Sequence, residues 1–531
     1  MSYWSFYFLA KVGLHYAGYL SLHWPLNLLL AIVVFWPLQS RLWKNLRLAA
    51  GSIAAVALLY YDTHFPPISR VLSQVSALAD FSASYMLELV QRVVSWQALL
   101  GFVVLLALYS ALARRIRFAT FALLAILSVP LVTRLQQGPA KPVLAQTQDS
   151  AQPGAAAPAV TPDAILANFY ASEHLRRLNF ASGNTPPFDI VLLHVCSLAW
   201  DDMEFEGMRD TPLLQRFDAV FTQFNSAASY SGPAQLRVLH GSCGQMPHKA
   251  LYEGTDAACN VFPSLEQVGY HTSALLNHNG VFDGFAQSLQ ERGGFAGKME
   301  KNQGVPEAMQ SFDGSPVYSD LALLSQWWKE RQSRGNEPVA LYYNTITLHD
   351  GNRVPGIASR NSLQTYKPRL TQLLSDFDRF VSLLESSGRP VLLMLVPEHG
   401  ASLRGDKMQI SGMREIPGPR VTLVPTAIKL IGLPHAAGAT GTAGTSNAAV
   451  PSQSGPVIVS KPTSYFDLFT LVNNLMQDNP YRPGATPLAD RVAQLQGTRF
   501  VAENADVVVM HDDNGQYLLK SGSDAWIPYT N

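Results

Sequence analysis

The first quarter of the chain is a series of apolar stretches separated by short polar or basic connections. The five stretches each predict a helix, and they cover residues 3–22, 25–38, 48–61, 93–112 and 118–132. Several are shorter than the roughly 20 residues needed to cross a bilayer. We therefore expect their helices to extend into flanking residues or to pack against neighbouring helices. Because no cleavage-site pattern of a secretory leader accompanies them, the stretches predict a membrane domain of about five helices over residues 1–135.

The distribution of charged residues supports this membrane domain and orients it. Nearly all charges fall between the apolar stretches, with Lys11 as the exception, which favours membrane helices over the buried core of a soluble helical domain. The loops that follow the second and fourth stretches contain basic residues: Arg41, Lys44, Arg47, Arg114, Arg115 and Arg117. Because basic loops remain in the cytoplasm, we expect the amino terminus inside and the chain after Arg134 outside, which in a bacterium is the periplasm. Residues 69–91 predict an amphipathic helix on the outer interface of this membrane.

Beyond residue 135 the pattern changes to that of a linker and then of a second domain. Residues 136–161 are rich in Ala, Pro and Gln, a composition that cannot bury enough apolar surface to fold, and a short helix is expected at 164–178. We therefore assign residues 136–185 to a linker and residues 186–531 to a soluble domain. A second low-complexity run, residues 435–453, is interpreted as an insertion loop within that domain.

The soluble domain alternates continuous apolar runs with amphipathic ones. The apolar runs predict strands at residues 189–194, 272–276, 339–345 and 391–396. The amphipathic runs predict helices at residues 233–239, 263–268, 319–332 and 366–387. This alternation predicts an α/β sandwich with a mostly parallel central sheet that helices cover on both faces.

Composition and charge narrow the class of protein further. The chain has 531 residues, too many for one ordinary domain, and its 39 basic and 39 acidic residues give no indication of a nucleic-acid partner. It has three cysteines, of which Cys243 and Cys259 flank a Gly- and polar-rich loop and could close it as a disulfide in an oxidising compartment. Cys196 would then be unpaired, and metal ligation is one explanation for such a thiol.

Candidate metal-binding side chains follow the ends of the predicted strands. The functional site of a parallel α/β sheet lies beyond the carboxyl ends of its strands, and there the chain places Cys196, His349 and the pair Glu398-His399. Thiolate, imidazole and carboxylate around one open position suit Zn²⁺. Taken singly, each has an ordinary explanation, such as a small core cysteine or a surface Glu-His pair. Their joint placement favours a zinc site.

Ser231 opens a further predicted helix, at what should be the same edge of the sheet. We expect it at the N-cap, with Pro233 tolerated in the first turn. A hydroxyl there faces free backbone N–H groups and the positive end of the helix dipole, which favours bringing an anionic phosphate to a nucleophile. The alternative is that Ser231 only caps the helix.

These residues together resemble a known family. The soluble part is similar to the alkaline phosphatase/sulfatase superfamily, and within it to the membrane-anchored phosphoethanolamine transferases. Ser231 matches the nucleophile of that branch, His349 matches a further active-site histidine, and Glu398-His399-Gly400 matches its Asp-His-Gly ligand motif with Glu in place of Asp. Cys196 is a departure, since the wider family has a carboxylate at that strand end. With Ser-Tyr-Ser-Gly-Pro at 229–233 and Gly-Ser-Cys-Gly-Gln at 241–245, Cys196 makes the chain similar to the transferases of bacterial cellulose-secretion systems.

The resemblance implies an activity, a cofactor and partners. It implies a multi-pass protein of the bacterial inner membrane whose periplasmic domain transfers phosphoethanolamine from phosphatidylethanolamine to the 6-hydroxyl groups of glucosyl residues in secreted cellulose. Ser231 would form a covalent phosphoethanolamine-serine intermediate, and His349 would protonate the leaving oxygen and later deprotonate the sugar hydroxyl. The implied zinc ligands are Cys196, Glu398, His399 and the oxygen of Ser231. Contacts with subunits of a cellulose synthase are left open.

Residues beside these would complete the site. Phosphoryl transfer depends on positioning and charge neutralisation, so we expect Arg414 to hold the phosphate, with Arg404 as the second candidate. Tyr230 would contact the substrate or support the loop. Two alternatives for the function stay open: lipid A or another envelope glycan as the acceptor, or a non-catalytic scaffold subunit of a polysaccharide synthase. The retention of every zinc-type ligand argues against the scaffold.

Overall fold

The computed structural model describes residues 3–63, 82–93, 96–113, 115–136, 161–180, 188–254, 256–357, 359, 361–433, 455–522 and 525–529. Its contacts divide the chain into two compact units. The first comprises Met1–Gln74, Leu89–Ala159 and Gly405–Ile410, and the second Val75–Glu88, Val160–Arg404 and Ser411–Asn531. Most of the predicted linker, residues 69–81 of the predicted amphipathic helix and the predicted insertion loop at 435–453 lie outside the described residues.

The amino-terminal part of the chain is helical, and each predicted apolar stretch contains a helix. The helices are α1 (Trp4–Tyr16), α2 (Trp24–Phe35), α3 (Arg41–Asp62), α4 (Ala83–Val93), α5 (Trp96–Leu112) and α6 (Phe118–Gln136). Helix α3 is long and apolar enough to cross a membrane by length and composition, and there are shorter apolar helices at Trp24–Phe35, Leu99–Leu112 and Phe118–Val132. Many apolar side chains of these helices are exposed, including Leu29 at 60%, Ile53 at 73% and Leu100 at 66%.

Two features of the first unit concern its charged residues. Arg41, Lys44 and Arg47 lie in the first turns of α3 and not in a loop after the second stretch, because Lys and Arg favour helix and extend α3 at its start. Lys11 is buried, and its Nζ lies 2.5 Å from Asp62 Oδ2 and donates to Asn27 Oδ1 at 2.8 Å. This pairing accounts for a charge inside an apolar helix.

The second unit is built on a seven-stranded sheet with the order β3-β6-β1-β7-β8-β2-β9. The strands of this unit are β1 (Asp189–Val195), β2 (Ala219–Asn225), β3 (His271–Leu276), β4 (Glu307–Gln310), β5 (Pro316–Tyr318), β6 (Val339–Thr345), β7 (Val391–Leu395), β8 (Leu423–Ile431), β9 (Val457–Val459), β10 (Val501–Glu503), β11 (Val507–His511), β12 (Tyr517–Ser521) and β13 (Ile527–Pro528). In the large sheet only β8 is antiparallel to its neighbours among the described strands. The predicted, mostly parallel sheet is confirmed.

Helices cover both faces of the large sheet. The helices of the second unit are α7 (Pro162–Leu175), α8 (Trp200–Phe205), α9 (Pro212–Gln215), α10 (Ser231–Leu239), α11 (Val261–Gln267), α12 (Phe285–Arg292), α13 (Asp320–Ser333), α14 (Tyr366–Ser386), α15 (Pro419–Thr422), α16 (Tyr465–Gln477) and α17 (Leu488–Ala493). Strand β1 is buried throughout. Its Ile190 and Leu192 pack with α10, α11, α12 and α16, whereas Val191 and Leu193 pack with α8, α13 and α14. Each face of the sheet therefore has its own apolar core.

The direction of the strands brings four chain segments to one edge of the sheet. Strands β1, β2, β6 and β7 all point the same way, so the residues that follow them lie at their common carboxyl edge. The structure joins Cys243 to Cys259 in a disulfide, and Cys196, which directly follows β1 at this edge, is a free, buried cysteine.

Candidate active site

Four predicted site residues meet at the carboxyl edge of the large sheet. Cys196 follows β1, Ser231 begins α10, and Glu398 and His399 follow β7. Cys196 Sγ lies 3.4 Å from Ser231 Oγ and 4.0 Å from His399 Nε2, and Ser231 Oγ lies 3.3 Å from His399 Nε2. The ligand atoms of Cys196, Glu398 and His399 are all within 4.8 Å of one another. We call these three residues and Ser231 the strand-end cluster.

Backbone hydrogen bonds that continue from the sheet fix the ends of β1 and β7. Cys196 N donates to Thr345 O at 3.0 Å, and Glu398 N donates to Val195 O at 2.9 Å. Ser197, directly after Cys196, has a φ of 63°, a left-handed conformation that few residues other than glycine adopt. This turn allows Leu198 N to donate to the carbonyl of His399 at 2.6 Å. The thiol and the imidazole are thus placed by main-chain geometry.

The Glu398 carboxylate has one oxygen in a hydrogen bond and one without. Its Oε1 accepts from Asn344 Nδ2 at 2.6 Å, whereas Oε2 is buried without a hydrogen-bond partner and lies 3.7 Å from His399 Nε2. Burial raises the pKa of Glu398, because the charged form loses its hydration. A buried carboxylate oxygen that faces a thiol and an imidazole is suited to a cation.

The hydrogen bonds of His399 determine which nitrogen carries its proton. Nδ1 lies 2.9 Å from the carbonyl oxygen of Gly400, which can only accept, so Nδ1 is protonated. The lone pair is then on Nε2, which faces Ser231 and Cys196. Burial, followed by the charge of Arg414, lowers the pKa of His399 and keeps the ring neutral. A neutral imidazole fixed through its other nitrogen is the usual form of a histidine metal ligand.

The thiol, carboxylate and imidazole of the strand-end cluster are a suitable set of ligands for zinc. Burial and the charge of Glu398 raise the pKa of the Cys196 thiol to about 12, so the thiol stays protonated unless a cation stabilises the thiolate. A divalent cation among these atoms would favour the thiolate and satisfy Glu398 Oε2. One thiolate, one carboxylate and one imidazole, with a position left open, fit the preferences of a catalytic zinc ion.

Ser231 does not have the capping position expected from the sequence. The N-cap of α10 is Tyr230, in an extended conformation with φ of −133°, and Ser231 is the first helical residue. The expectation that Ser231 is the N-cap is therefore wrong, because the extended backbone ends one residue earlier. Its hydroxyl is directed to Cys196 and His399 instead, so the explanation that Ser231 only caps the helix does not hold.

His349, after β6, is neutral and partly exposed. Burial and the charge of Arg414 lower the pKa of His349 to about 4, so the ring is uncharged at pH 7 and can accept a proton. Its Nδ1 donates to the carbonyl of Asp350 at 2.6 Å, which leaves Nε2 with the lone pair. The ring packs against Phe312, with centroids 5.2 Å apart.

The structure distinguishes the two candidate arginines. Arg414 Nη1 lies 3.3 Å from His399 Nδ1 and donates to Ser197 Oγ at 3.2 Å. Its guanidinium is 5.7 Å from the ring of Tyr230, whose hydroxyl donates to Glu415. Arg404 instead pairs with Asp201, at 3.3 Å, and its guanidinium lies 5.7 Å from the ring of Phe205. Arg414 is thus beside the strand-end cluster, and Tyr230 contacts its guanidinium.

Two supporting residues were not foreseen from the sequence. Asn344, near the end of β6, holds Glu398; an amide directly after the apolar and aromatic part of this strand was the signal that could have identified it. Asp202 accepts from Ala401 N at 2.6 Å and Leu403 N at 3.1 Å and so shapes the turn after His399. A Cβ on Gly400 would lie 2.6 Å from Asp202 Oδ2, which explains the glycine in this motif.

A serine hydroxyl beside a buried Cys-Glu-His cluster, at the carboxyl edge of an α/β sandwich, defines a candidate metalloenzyme of the α/β class. Family models of the cellulose biosynthesis protein BcsG match both parts of the chain, the N-terminal domain at residues 4–131 and the C-terminal domain at residues 145–526. The chain belongs to the BcsG family.

The chain is similar along its whole length to two curated members of this family and, more distantly, to solved structures. The cellulose biosynthesis protein BcsG of Salmonella typhimurium is 34% identical over 556 residues, and that of Escherichia coli is 34% identical over 558; each match covers 100% of this chain and 96% of the relative. The lipoteichoic acid synthase LtaP from Listeria monocytogenes superposes with a TM-score of 0.44 at 12% identity, over 65% of this chain and 87% of that one.

The other two structures are named as phosphoethanolamine transferases or their domains. The integral membrane lipooligosaccharide phosphoethanolamine transferase A from Neisseria meningitidis has a TM-score of 0.39 at 12% identity, over 77% of this chain and 88% of that one. The periplasmic domain of EcEptC from Escherichia coli, in complex with Zn, has a TM-score of 0.42 at 15% identity, over 64% and 93%. All three TM-scores are below 0.5, so the family assignment rests on the sequence matches.

Proposed function

We propose that this chain is a zinc-dependent phosphoethanolamine transferase that takes its donor group from phosphatidylethanolamine and modifies secreted cellulose through Ser231. The observation that carries the proposal is the convergence of Ser231 Oγ with the ligand atoms of Cys196, Glu398 and His399. Membership in a family of cellulose biosynthesis proteins supports cellulose as the acceptor. Cys196, Glu398 and His399 would hold the zinc ion, which supplies Lewis-acid chemistry that lowers the pKa of a nearby hydroxyl and offsets phosphate charge.

The chain's own residues account for both halves of the reaction. In the first half, Ser231 Oγ forms a bond to phosphorus, the bond from phosphorus to the diacylglycerol oxygen breaks, and the serine proton leaves with diacylglycerol. In the second half, the 6-hydroxyl oxygen of a glucosyl residue forms a bond to phosphorus and the bond from phosphorus to Ser231 Oγ breaks. The proton of the sugar hydroxyl is transferred to the serine oxygen. His349, uncharged at pH 7, moves these protons, and Arg414 offsets the charge on the phosphate oxygens.

A multi-pass position in the bacterial inner membrane, with residues 186–531 as a periplasmic catalytic domain, belongs to the same proposal. The donor is a lipid, and a tethered enzyme can reach its headgroup without extracting it from the bilayer. The apolar helices α2, α3, α5 and α6, with large exposed side chains such as Ile53 and Leu100, provide a surface that lipid would cover.

The acceptor can be tested with the full-length protein in vesicles that contain phosphatidylethanolamine. We expect phosphorus NMR to show a new phosphodiester on the glucosyl 6-oxygen when cellulose oligosaccharides are added, and no product with the Ser231→Ala variant. Product on lipid A or another envelope glycan, and not on the oligosaccharides, would overturn cellulose as the acceptor. Loss of cellulose phenotypes in cells that lack the protein, with full rescue by the Ser231→Ala variant, would favour the scaffold alternative.

Substitution of the two arginines tests which one binds the phosphate. Arg414→Ala should lower kcat/KM for the donor by about 10²–10³-fold, the usual effect of removing one donor to developing charge in a shielded site. Arg404→Ala should lower it less than about fivefold, since Arg404 pairs with Asp201 and not with the strand-end cluster, and loss of a partly exposed ion pair costs only about 1 kcal/mol or less of folding stability. Initial rates at varied donor concentration provide both values. The reverse order of effects would assign the phosphate to Arg404.

A further inference from the structure

A short segment from the amino-terminal part of the chain belongs to the second unit and packs beside His349. Ser82 N donates to the carbonyl of Phe312 at 3.2 Å, and Phe312 is the ring that packs against His349. Within the same segment, Tyr85 is 7% exposed and Glu88 is 2% exposed. Polar groups buried to this degree, so far along the chain from their surroundings, need specific partners.

One partner of Tyr85 is Asp350, the residue directly after His349. The Tyr85 hydroxyl donates to Asp350 Oδ2 at 3.2 Å, and the main-chain carbonyl of Asp350 accepts from His349 Nδ1. Gly351, the next residue, has a φ of 84°, and a Cβ there would lie 2.4 Å from Phe312 Cβ and 3.0 Å from Tyr85 Cε2. Tyr85 and Phe312 therefore close the turn that orients the His349 ring.

Glu88 holds the same turn from its other end. Its Oε1 accepts from Ser362 N at 2.9 Å and lies 3.0 Å from Ser362 Oγ, and its second oxygen forms an ion pair with Arg353. Ser362 Oγ in turn accepts from Gly351 N at 2.8 Å. The buried Arg369 donates to the carbonyls of His349 and Ser362, at 2.9 and 3.0 Å. Residues 349–353 are thus held by Glu88 on one side and Arg369 on the other.

We propose that Tyr85 and Glu88 are positioning residues for His349, supplied to the catalytic edge by the helix that leads into the apolar helix α5. The inference rests on the role of His349 in the proposed function. It means that residues 160–531 alone lack two of the groups that orient the proton-transferring histidine. The proton step would then depend on a segment joined directly to the membrane part of the chain.

A double-mutant cycle in the full-length protein separates positioning from general support of the fold. Tyr85→Phe removes the hydrogen bond to Asp350, and Glu88→Gln removes the negative charge that pairs with Arg353. Each variant should lower kcat about tenfold, with KM for phosphatidylethanolamine and zinc content unchanged. In a His349→Gln background, the same substitutions should lower kcat less than about twofold, since the ring they orient is gone. Gln91→Ala, exposed on the same helix α4, is the matched control and should leave kcat unchanged in both backgrounds.

Each outcome of the cycle has one interpretation. Equal losses with and without His349 would show a structural role and overturn the inference. If His349→Gln alone leaves kcat unchanged while Ser231→Ala abolishes it, the proton-transfer role of His349 fails, and the positioning role fails with it. Activity in the Ser231→Ala variant would instead contradict the proposed function itself. Should Glu88→Gln fail to fold, Tyr85→Phe, which removes a single oxygen, is sufficient for the cycle.

Discussion

Ser231→Ala is expected to reduce phosphoethanolamine transfer by at least about 10³-fold, because it removes the atom to which the phosphoryl group would be attached. The Ser231 hydroxyl lies 3.4 Å from Cys196 Sγ and 3.3 Å from His399 Nε2, and its position in α10 involves no capping bond that the substitution would break. Alanine also favours helix, so the variant should fold.

The measurement follows the headgroup of the donor into the protein. With headgroup-labelled phosphatidylethanolamine, the unmodified chain should become labelled and release diacylglycerol before any acceptor is added, whereas Ser231→Ala should do neither. Ser231→Thr keeps a hydroxyl at the same position and is the matched control, expected to retain labelling. Zinc content should be similar in all three proteins. Persistent labelling of the alanine variant would place the covalent bond elsewhere and remove Ser231 from the mechanism.

The parts of the fold that the sequence predicts well are those with strong local signals. Strands β1, β6 and β7 are mostly apolar runs, and such runs predict buried parallel strands because both faces of the sheet are covered. Strand β3 has a weaker signal, since it begins with His271, Thr272 and Ser273 and is apolar only at residues 274–276. Strands β2 and β8 lack that signal. Strand β2 contains Thr222 and Gln223, and its register with β8 shifts between Phe221 and Phe224, opposite Pro425, which cannot donate a hydrogen bond. A bulge of this kind depends on pairing between distant segments.

The candidate site shows the same division between local and long-range information. Cys196, His349, Glu398 and His399 follow apolar strands, so sequence analysis places them at one edge. The contacts of Arg414 with His399, of Asp202 with the turn after His399, and of Tyr85 with Asp350 join residues far apart in the chain. Composition and periodicity carry no information about such pairs. For the same reason, the sequence favours Arg414 over Arg404 as the phosphate ligand but does not show which of the two lies beside His399.

Removal of the Cys196 thiol is expected to weaken zinc binding more than 100-fold and to abolish transfer. Loss of a residue that merely orients a ligand costs 10–100-fold in affinity, and Cys196 would be a ligand itself. The site offers three such ligands besides the serine, and the two left after Cys196→Ala, Glu398 and His399, would hold the ion poorly. Metal analysis of the full-length protein should find about one zinc per chain, and much less in the variant.

Two further variants separate loss of a ligand from loss of packing around a buried residue. Cys196→Ser has nearly the same volume but a poor ligand, and should lose zinc as the alanine variant does. Cys196→Asp replaces the thiolate with a carboxylate, a harder ligand, and should retain a metal with a preference moved towards harder ions such as Mn²⁺. Substitution with Co²⁺ should produce a thiolate-to-metal charge-transfer absorption band in the unmodified chain, and this band should be absent from all three variants. Stoichiometric zinc in Cys196→Ala, together with no charge-transfer band in the unmodified chain, would show that the ion binds elsewhere, and the contacts among the thiol, the serine and His399 would then reflect packing alone.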